Sequence, residues 1–171
     1  MNYRLIPFAI SVAVFVLDRL AKLAIRGHVS AYDTIPVIPG LLNIIHTENP
    51  GVAFGLFADS SSPFRSTILI GLSATVLVTI LTVLLKLPKP GERPNWLLRT
   101  ALAFVLGGAF GNLYDRVVHG TVTDFVEVYA DNHYFPAFNV ADSAITVGAV
   151  LLILDMLKSR ESTGQAVKAS Q

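Results

Sequence analysis

Hydrophobic residues are gathered into four long stretches separated by shorter polar segments. Residues 66–85 form an uninterrupted run without a charge, flanked by Arg65 and Lys86. A helix of about 20 apolar residues is long enough to cross a bilayer. The other three stretches reach that length only when charges near one end are included. The pattern therefore predicts an all-α membrane protein with four transmembrane helices, at about 5–25, 66–86, 96–117 and 138–158.

The first long connection, residues 32–62, has a different pattern. It is rich in Ile, Val and Leu and is interrupted by Pro36, Pro39-Gly40 and Pro50-Gly51. Short apolar runs bounded by proline and glycine are typical of strands and turns. We expect a small extracytoplasmic β-rich segment between helices 1 and 2.

The composition supports a membrane protein. Hydrophobic residues make up 53% of the chain, charged residues 15%, and the mean hydropathy is +0.59, whereas soluble domains have roughly 25% charged residues. This excludes an ordinary soluble domain and a disordered chain. We predict one integral membrane domain over 1–161 and a disordered cytoplasmic tail over 162–171. The net charge of +1 gives no basic surface for nucleic acid, so no nucleic-acid partner is expected.

Positive charges predict the orientation. One set of connections and ends carries eight Lys and Arg residues, whereas the opposite connections carry only Arg26 and Arg65. Since Lys and Arg accumulate on the cytoplasmic side, both termini and the 86–99 loop should be cytoplasmic. The eight residues are Arg4, Lys86, Lys89, Arg93, Arg99, Lys158, Arg160 and Lys168.

Three aspartates, Asp115, Asp124 and Asp142, map near the outer ends of the third and fourth predicted helices. Ionisable groups near hydrocarbon depth are costly and suggest function. Helical spacing places Asn112 on the same helix surface as Asp115 and Arg116. These residues could form part of a polar site, or simply a polar helix end that reaches the membrane interface.

Asp124 and Asp142 together suggest a chemistry. Asn139 and Asp142 have the spacing of a helix cap, so Asp142 could merely complete a capping box. Asp124, in an apolar strand-like stretch, has no evident structural task. If the two carboxyls meet, they share one proton and can serve as general base and general acid on a water molecule. The positive end of the helix dipole favours ionised Asp142, so we expect the proton on Asp124.

Other chemistries have less support. The chain lacks cysteine, which excludes disulfides, a thiol nucleophile and Cys-ligated metals. The four histidines match no H-E-x-x-H pattern, and no G-x-S-x-G motif is present. We therefore expect no metal and no cofactor. Gly107 and Gly111 indicate a close helix contact. Asp18 and Lys22 could form an interfacial charge cluster, support a polar site or contact a lipid headgroup.

Several sequence blocks resemble the signal peptidase II family, the bacterial lipoprotein signal peptidases, which are four-helix membrane aspartic proteases. The resemblance implies that Asp124 and Asp142 are the catalytic pair. It also implies that Asn49, Asn112, Asp115, Arg116 and Asn139 line or brace the site and that Asp18 and Lys22 are further motif residues. The blocks are Asp18-Arg19-x-x-Lys22, residues 48–55, Gly111-Asn112-x-x-Asp115-Arg116, Asp124-Phe125, and Phe138-Asn139-x-Ala141-Asp142-Ser143.

The same resemblance implies a substrate and a location. Such enzymes cleave prolipoproteins just before a cysteine that carries diacylglycerol, and globomycin-type cyclic peptides block them. The expected partners are these substrates, membrane lipid and such inhibitors, with the active site at the extracytoplasmic face of the bacterial inner membrane. Glu48 and Pro50 beside Asn49 depart from the family's frequent residues, so the resemblance implies the reaction but not the fine specificity. From charges within the helices alone, a small proton-coupled transporter or a structural membrane subunit would be alternatives.

Overall fold

The computed structural model describes residues 5–51, 65–87 and 96–169. Within them lie four long helices and one small antiparallel sheet, close to the predicted positions. The predicted cytoplasmic loop at 88–95 and the 52–62 part of the β-rich segment lie outside the described residues. The elements are α1 (Leu5–His28), β1 (Thr34–Ile38), β2 (Leu42–Asn49), α2 (Arg65–Lys86), α3 (Trp96–His119), β3 (Val122–Ala130), β4 (His133–Tyr134) and α4 (Val140–Ala169).

Three helices in the described part of the chain are long and apolar enough to cross a membrane: α2, α3 and α4. More than half of the α3 span is buried by protein, whereas the spans of α2 and α4 are mostly exposed. Exposed apolar surface of this length suits contact with lipid. α1 does not meet the same criterion because Asp18, Arg19 and Lys22 interrupt its apolar sequence.

α3 is the central helix and contacts the other three. Its glycines allow this close packing. A Cβ atom on Gly107 would lie 2.6 Å from the Ser11 carbonyl oxygen of α1, and one on Gly108 would lie 2.4 Å from the Ala141 carbonyl oxygen of α4. A Cβ on Gly111 would lie 2.6 Å from an Asp18 carboxylate oxygen. The predicted helix contact at Gly107 and Gly111 is confirmed.

The sheet has the strand order β1-β2-β3-β4, with every neighbouring pair antiparallel. The sheet extends beyond the predicted β-rich segment between helices 1 and 2, because β3 and β4 come from the connection between α3 and α4, and β3 contains the strand-like stretch around Asp124. β2 lies between two strands, and the Val and aromatic residues of β3 are good strand formers for the position beside it. β1 is an edge strand, where Pro36 is tolerated.

β2 contains a bulge that decides which side chains face the site. Ile44 pairs with Val126, but the next pair is Thr47 with Asp124, so β2 has one residue more than β3 between these pairs. An extra residue reverses the alternation of faces along the strand. Beyond the bulge, Asn49 consequently shares a face with Asp124, and Glu48 shares the opposite face with its partner Thr123.

α4 is longer than predicted and continues to Ala169, through most of the segment expected to be a disordered tail. The physical reason lies in the sequence, because residues 161–169 contain no proline and only one glycine, Gly164. Glu, Gln, Ala and Lys in this stretch are good helix formers, and nothing there stops the helix.

The helix contacts at glycine make a stability prediction. Gly108→Ala should destabilise the protein by about 1–3 kcal/mol, the usual range for overpacking, because the new methyl group meets backbone of α4. Gly71→Ala is the matched control, since a Cβ there has nothing within 4 Å. Thermal unfolding in detergent should show a lower Tm for Gly108→Ala only. Equal Tm values for both variants would contradict the close packing of α3 on α4.

Candidate active site

The two candidate aspartates reach one cavity from different elements. Asp124 lies on β3 and Asp142 in the first turn of α4, and both line a cavity of about 590 Å³. Asp124 is only 3% exposed. The two carboxyls that the sequence predicts to come together therefore line the same cavity. The other lining residues are mainly apolar or small: Thr47, Asn49, Arg116, Val122, Phe135, Pro136, Ala137, Phe138, Ser143, Thr146 and Val147.

Asn139 connects the two carboxyls. Its side-chain oxygen accepts a hydrogen bond from the Asp142 backbone N–H at 2.9 Å, while the Asn139 backbone N–H donates to Asp142 Oδ2 at 3.2 Å. This reciprocal pair is the capping box that the sequence predicted. The Asn139 amide nitrogen then donates to Asp124 Oδ1 at 2.6 Å. Asp142 thus completes the capping box of α4 and also lines the cavity, so the two interpretations of this residue are compatible.

Asn49 holds the other oxygen of Asp124. Its amide nitrogen donates to Asp124 Oδ2 at 2.9 Å, and its amide oxygen accepts from the Gly51 backbone N–H at 2.9 Å. Burial raises the pKa of Asp124 to about 6. The hydrogen bonds from Asn49 and Asn139 lower that pKa, and the nearby charge of Asp142 raises it. Asp124 can therefore keep a proton at a pH where an exposed aspartate has lost it.

Asn112 connects Lys22, a buried charge of α1, to Asp142 through two hydrogen bonds. Lys22 Nζ donates to Asn112 Oδ1 at 3.0 Å, and Asn112 Nδ2 donates to Asp142 Oδ1 at 2.7 Å. An ammonium group has only donors, so the Asn112 oxygen must face Lys22 and its amide nitrogen must face Asp142. The lysine therefore fixes the orientation of the amide that holds Asp142.

Lys22 also forms two buried ion pairs. Its Nζ lies 2.8 Å from Asp18 Oδ2 and 2.9 Å from Asp115 Oδ2, and all three side chains are fully buried. Arg19 forms a further ion pair with Asp115. The interfacial cluster considered for Asp18 and Lys22 is therefore wrong, because these side chains turn into the protein. Asp18 also reaches α4, where its Oδ1 accepts from the Ala141 backbone N–H at 3.0 Å.

Arg116 lines the cavity and ties α3 to the end of β2. Its guanidinium donates to the Gly51 carbonyl oxygen at 3.1 Å and to the Asn112 carbonyl oxygen at 3.3 Å. Arg116 is a positively charged residue in the wall of the cavity. Its charge partly balances the negative charge of Asp124 and Asp142. The structure thus brings together all of the sequence-predicted site residues in one connected region.

Some contributing residues were not predicted as part of the site. Arg26 of α1 and Thr121 and Thr123 of the β3 strand region surround Glu48 on the outer side of the sheet. Their signal in the sequence was weak, since a single arginine and two threonines fit any exposed surface. Within the described residues, His, Asp and Glu form no group of three that could hold a metal ion.

The site geometry can be compared with known proteins. Residues 10–158 match the sequence model of a family described as Signal peptidase (SPase) II. A lipoprotein signal peptidase of Pseudomonas aeruginosa is 53% identical over 154 residues, covering 90% of this chain and 88% of that protein. One from Solibacter usitatus is 40% identical over 153 residues, covering 90% and 91%.

Solved structures agree with the sequence relatives. A bacterial membrane enzyme determined by the in meso method at 2.3 Å resolution superposes with a TM-score of 0.78 at 30% identity, covering 91% of this chain and 90% of that one. A second structure with the same description at 1.9 Å has a TM-score of 0.76 at 29% identity, with coverage of 89% and 92%. With a family match over most of its length and these full-length relatives, the chain belongs to the signal peptidase II family of membrane peptidases.

Proposed function

We propose that Asp124 and Asp142 are the catalytic pair with which this peptidase cleaves prolipoproteins just before the diacylglyceryl-modified cysteine. The observation that carries the proposal is the single cavity onto which both carboxyls open, joined through the Asn139 side chain. Family membership supports the reaction and does not favour the proton-coupled transporter. The buried charges hold the residues of the site, so their presence does not require a path for transported protons.

The geometry supports a water-activating mechanism. Ionised Asp142 takes a proton from water as the water oxygen attacks the carbonyl carbon, and protonated Asp124 donates its proton to the carbonyl oxygen. In the resulting gem-diol, Asp124 takes back a hydroxyl proton while Asp142 gives its proton to the leaving nitrogen of the cysteine. The C–N bond breaks, and both aspartates return to their starting states. No nucleophilic side chain is needed.

The supporting residues have distinct roles in this proposal. Asn49 and Asn139 hold Asp124, and Asn112 holds Asp142. Lys22, with Asp18 and Asp115, orients Asn112, while Arg116 balances negative charge at the cavity wall. Phe135, Phe138 and Val147 give the cavity apolar surface for the lipidated cysteine region of the substrate or for a globomycin-type inhibitor.

The proposed setting is the bacterial inner membrane, with four spans and the site at the extracytoplasmic face. α1 is the fourth span. Its charged side chains are tolerated there because ion pairs within the protein neutralise them. The C-terminal ends of α1 and α3, the N-terminal end of α4 and the sheet all lie at the site. The few Lys and Arg residues in these connections support an extracytoplasmic location.

The catalytic pair can be tested by replacing each carboxyl with an amide. Asp124→Asn and Asp142→Asn should each lower the rate of signal-peptide release by at least about 10²-fold, since a general acid or base contributes roughly 10²–10⁴-fold. The assay is the mass shift of a diacylglyceryl-modified prolipoprotein, with purified enzyme in detergent and added chelator. Asp131→Asn is the matched control, because Asp131 occupies a turn with φ 52° that asparagine also tolerates. Activity in a folded Asp124→Asn or Asp142→Asn variant would disprove the assignment.

The raised pKa of Asp124 predicts a pH dependence. Protonated Asp124 is the general acid, so kcat/KM should fall as pH rises through about 6. Asn49→Ala removes a hydrogen bond that stabilises the ionised carboxylate, which raises the pKa of Asp124. The falling limb should consequently move to higher pH in that variant, even though its maximal rate is lower. A limb that stays in place or moves to lower pH would show that Asp124 is not the group observed.

The orientation has its own test. Green fluorescent protein fused after Gln171 should fluoresce, and alkaline phosphatase fused there should be inactive, because the C-terminus is proposed to be cytoplasmic. Phosphatase inserted after Asp131, in the β3–β4 turn, should be active. The reverse pattern would place the site on the cytoplasmic side.

A further inference from the structure

A second polar cluster lies on the face of the sheet opposite to the aspartate cavity. We name Arg26, Glu48, Thr121 and Thr123 the Glu48 cluster. Thr121 Oγ1 donates to Glu48 Oε2 at 2.6 Å, and Thr123 Oγ1 donates to Glu48 Oε1 at 3.0 Å. Arg26 Nε donates to Thr123 Oγ1 at 2.7 Å and lies 3.3 Å from Glu48 Oε1. One carboxylate thus joins α1, β2 and the start of β3.

The cluster is adjacent to the aspartate site along both strands. Glu48 and Thr123 are a cross-strand pair, and each is followed by a residue that faces the cavity side. Those following residues are Asn49 and Asp124, which hydrogen-bond each other at 2.9 Å. Any shift of β2 along β3 that breaks the Glu48 contacts therefore also moves the Asn49 amide relative to the Asp124 carboxyl.

The surroundings of Glu48 favour its ionised form. Burial tends to raise its pKa, but hydrogen bonds from Thr121, His46 and Thr123 and the charge of Arg26 outweigh burial and leave the pKa of Glu48 below its ordinary value. His46 Nε2 lies 3.3 Å from Glu48 Oε1, and His46 Nδ1 lies 2.8 Å from the Val29 carbonyl oxygen. Hydrogen bonds to an ionised acceptor are about twice as strong as neutral ones.

We infer that Glu48 is a positioning residue for the peptidase reaction: through the Glu48 cluster it holds β2 in register on β3 so that Asn49 meets Asp124. The inference rests on the proposed role of Asp124. Glu48 itself does not line the cavity, so we assign its effect to its neighbour on β2, Asn49, which does.

The same strand pair provides a control. Glu127 of β3 accepts a hydrogen bond from Asn43 of β2 at 2.9 Å, again as a cross-strand pair. This contact lies on the other side of the β2 bulge from Asn49. Glu127→Gln therefore makes the same chemical change in the same strand pair without disturbing the register next to Asp124.

The first test measures kcat and KM for cleavage of a diacylglyceryl-modified prolipoprotein. Glu48→Gln should lower kcat by about tenfold, because small misplacements of catalytic groups are costly, while KM changes less than about twofold. Glu127→Gln should leave both constants unchanged. Equal kcat for Glu48→Gln and wild type, or a change confined to KM, would overturn the inference.

Two further variants distinguish a positioning role of the cluster from a loss of folding stability. Thr121→Val removes the hydroxyl donor to Glu48 with almost no change in shape, and Thr121→Ser keeps it. Thr121→Val should lower kcat severalfold at an unchanged Tm, and Thr121→Ser should restore it. Loss of activity in both variants, or a kcat loss that follows Tm, would mean that the cluster only stabilises the fold.

A double-mutant cycle tests the route through Asn49. If Glu48 acts by placing Asn49, Glu48→Gln should cost much less kcat in an Asn49→Ala background than in the wild type. Additive losses would refute that route. Failure of this inference is distinct from failure of the proposed function, because active Asp124→Asn or Asp142→Asn variants would refute the catalytic pair whatever Glu48 does.

Discussion

The buried ammonium of Lys22 is the interaction on which the site depends. Its Nζ lies within 3.0 Å of three oxygen atoms, one each from Asp18, Asp115 and Asn112. An ammonium buried without such partners would cost several kcal/mol, and removing one partner of a buried pair typically costs about 3–5 kcal/mol. α1 and α3 are therefore tied together at one depth and in one rotation. Because Asp18 also accepts from the Ala141 N–H, the same charges fix the start of α4.

Three asparagine side chains set the directions of hydrogen bonds to the aspartates, and Lys22 orients one of them. An amide has a donor end and an acceptor end, so fixing one end fixes the other. Lys22 sets Asn112, the Asp142 N–H sets Asn139, and the Gly51 N–H sets Asn49. Each of the four oxygens of Asp124 and Asp142 consequently accepts one hydrogen bond of defined direction. A second lone pair on each oxygen is left for water, substrate or the shared proton.

Much of this arrangement could be predicted from local sequence. The helices follow from apolar length, the cap at Asn139 from its spacing to Asp142, and the helix contact from Gly107 and Gly111. The position of Asp124 on the same cavity as Asp142 was predictable because a carboxyl in an apolar stretch has no evident structural task. In contrast, hydropathy did not predict where α4 ends. The helix continues beyond its apolar part because good helix formers follow and no stop signal interrupts them.

The β2 bulge shows why the remainder could not be predicted. Strict alternation starting from the Asn43–Glu127 pair places Asn49 on the face away from Asp124. Only the extra residue between Ile44 and Thr47 brings it to the cavity side, and no proline or glycine within that stretch marks the position. Beyond the bulge, Glu48 contacts Arg26 and Thr123, which are distant from it in sequence. The polar cluster outside the cavity and the hydrogen bond to Asp124 inside it are thus two consequences of one change in register.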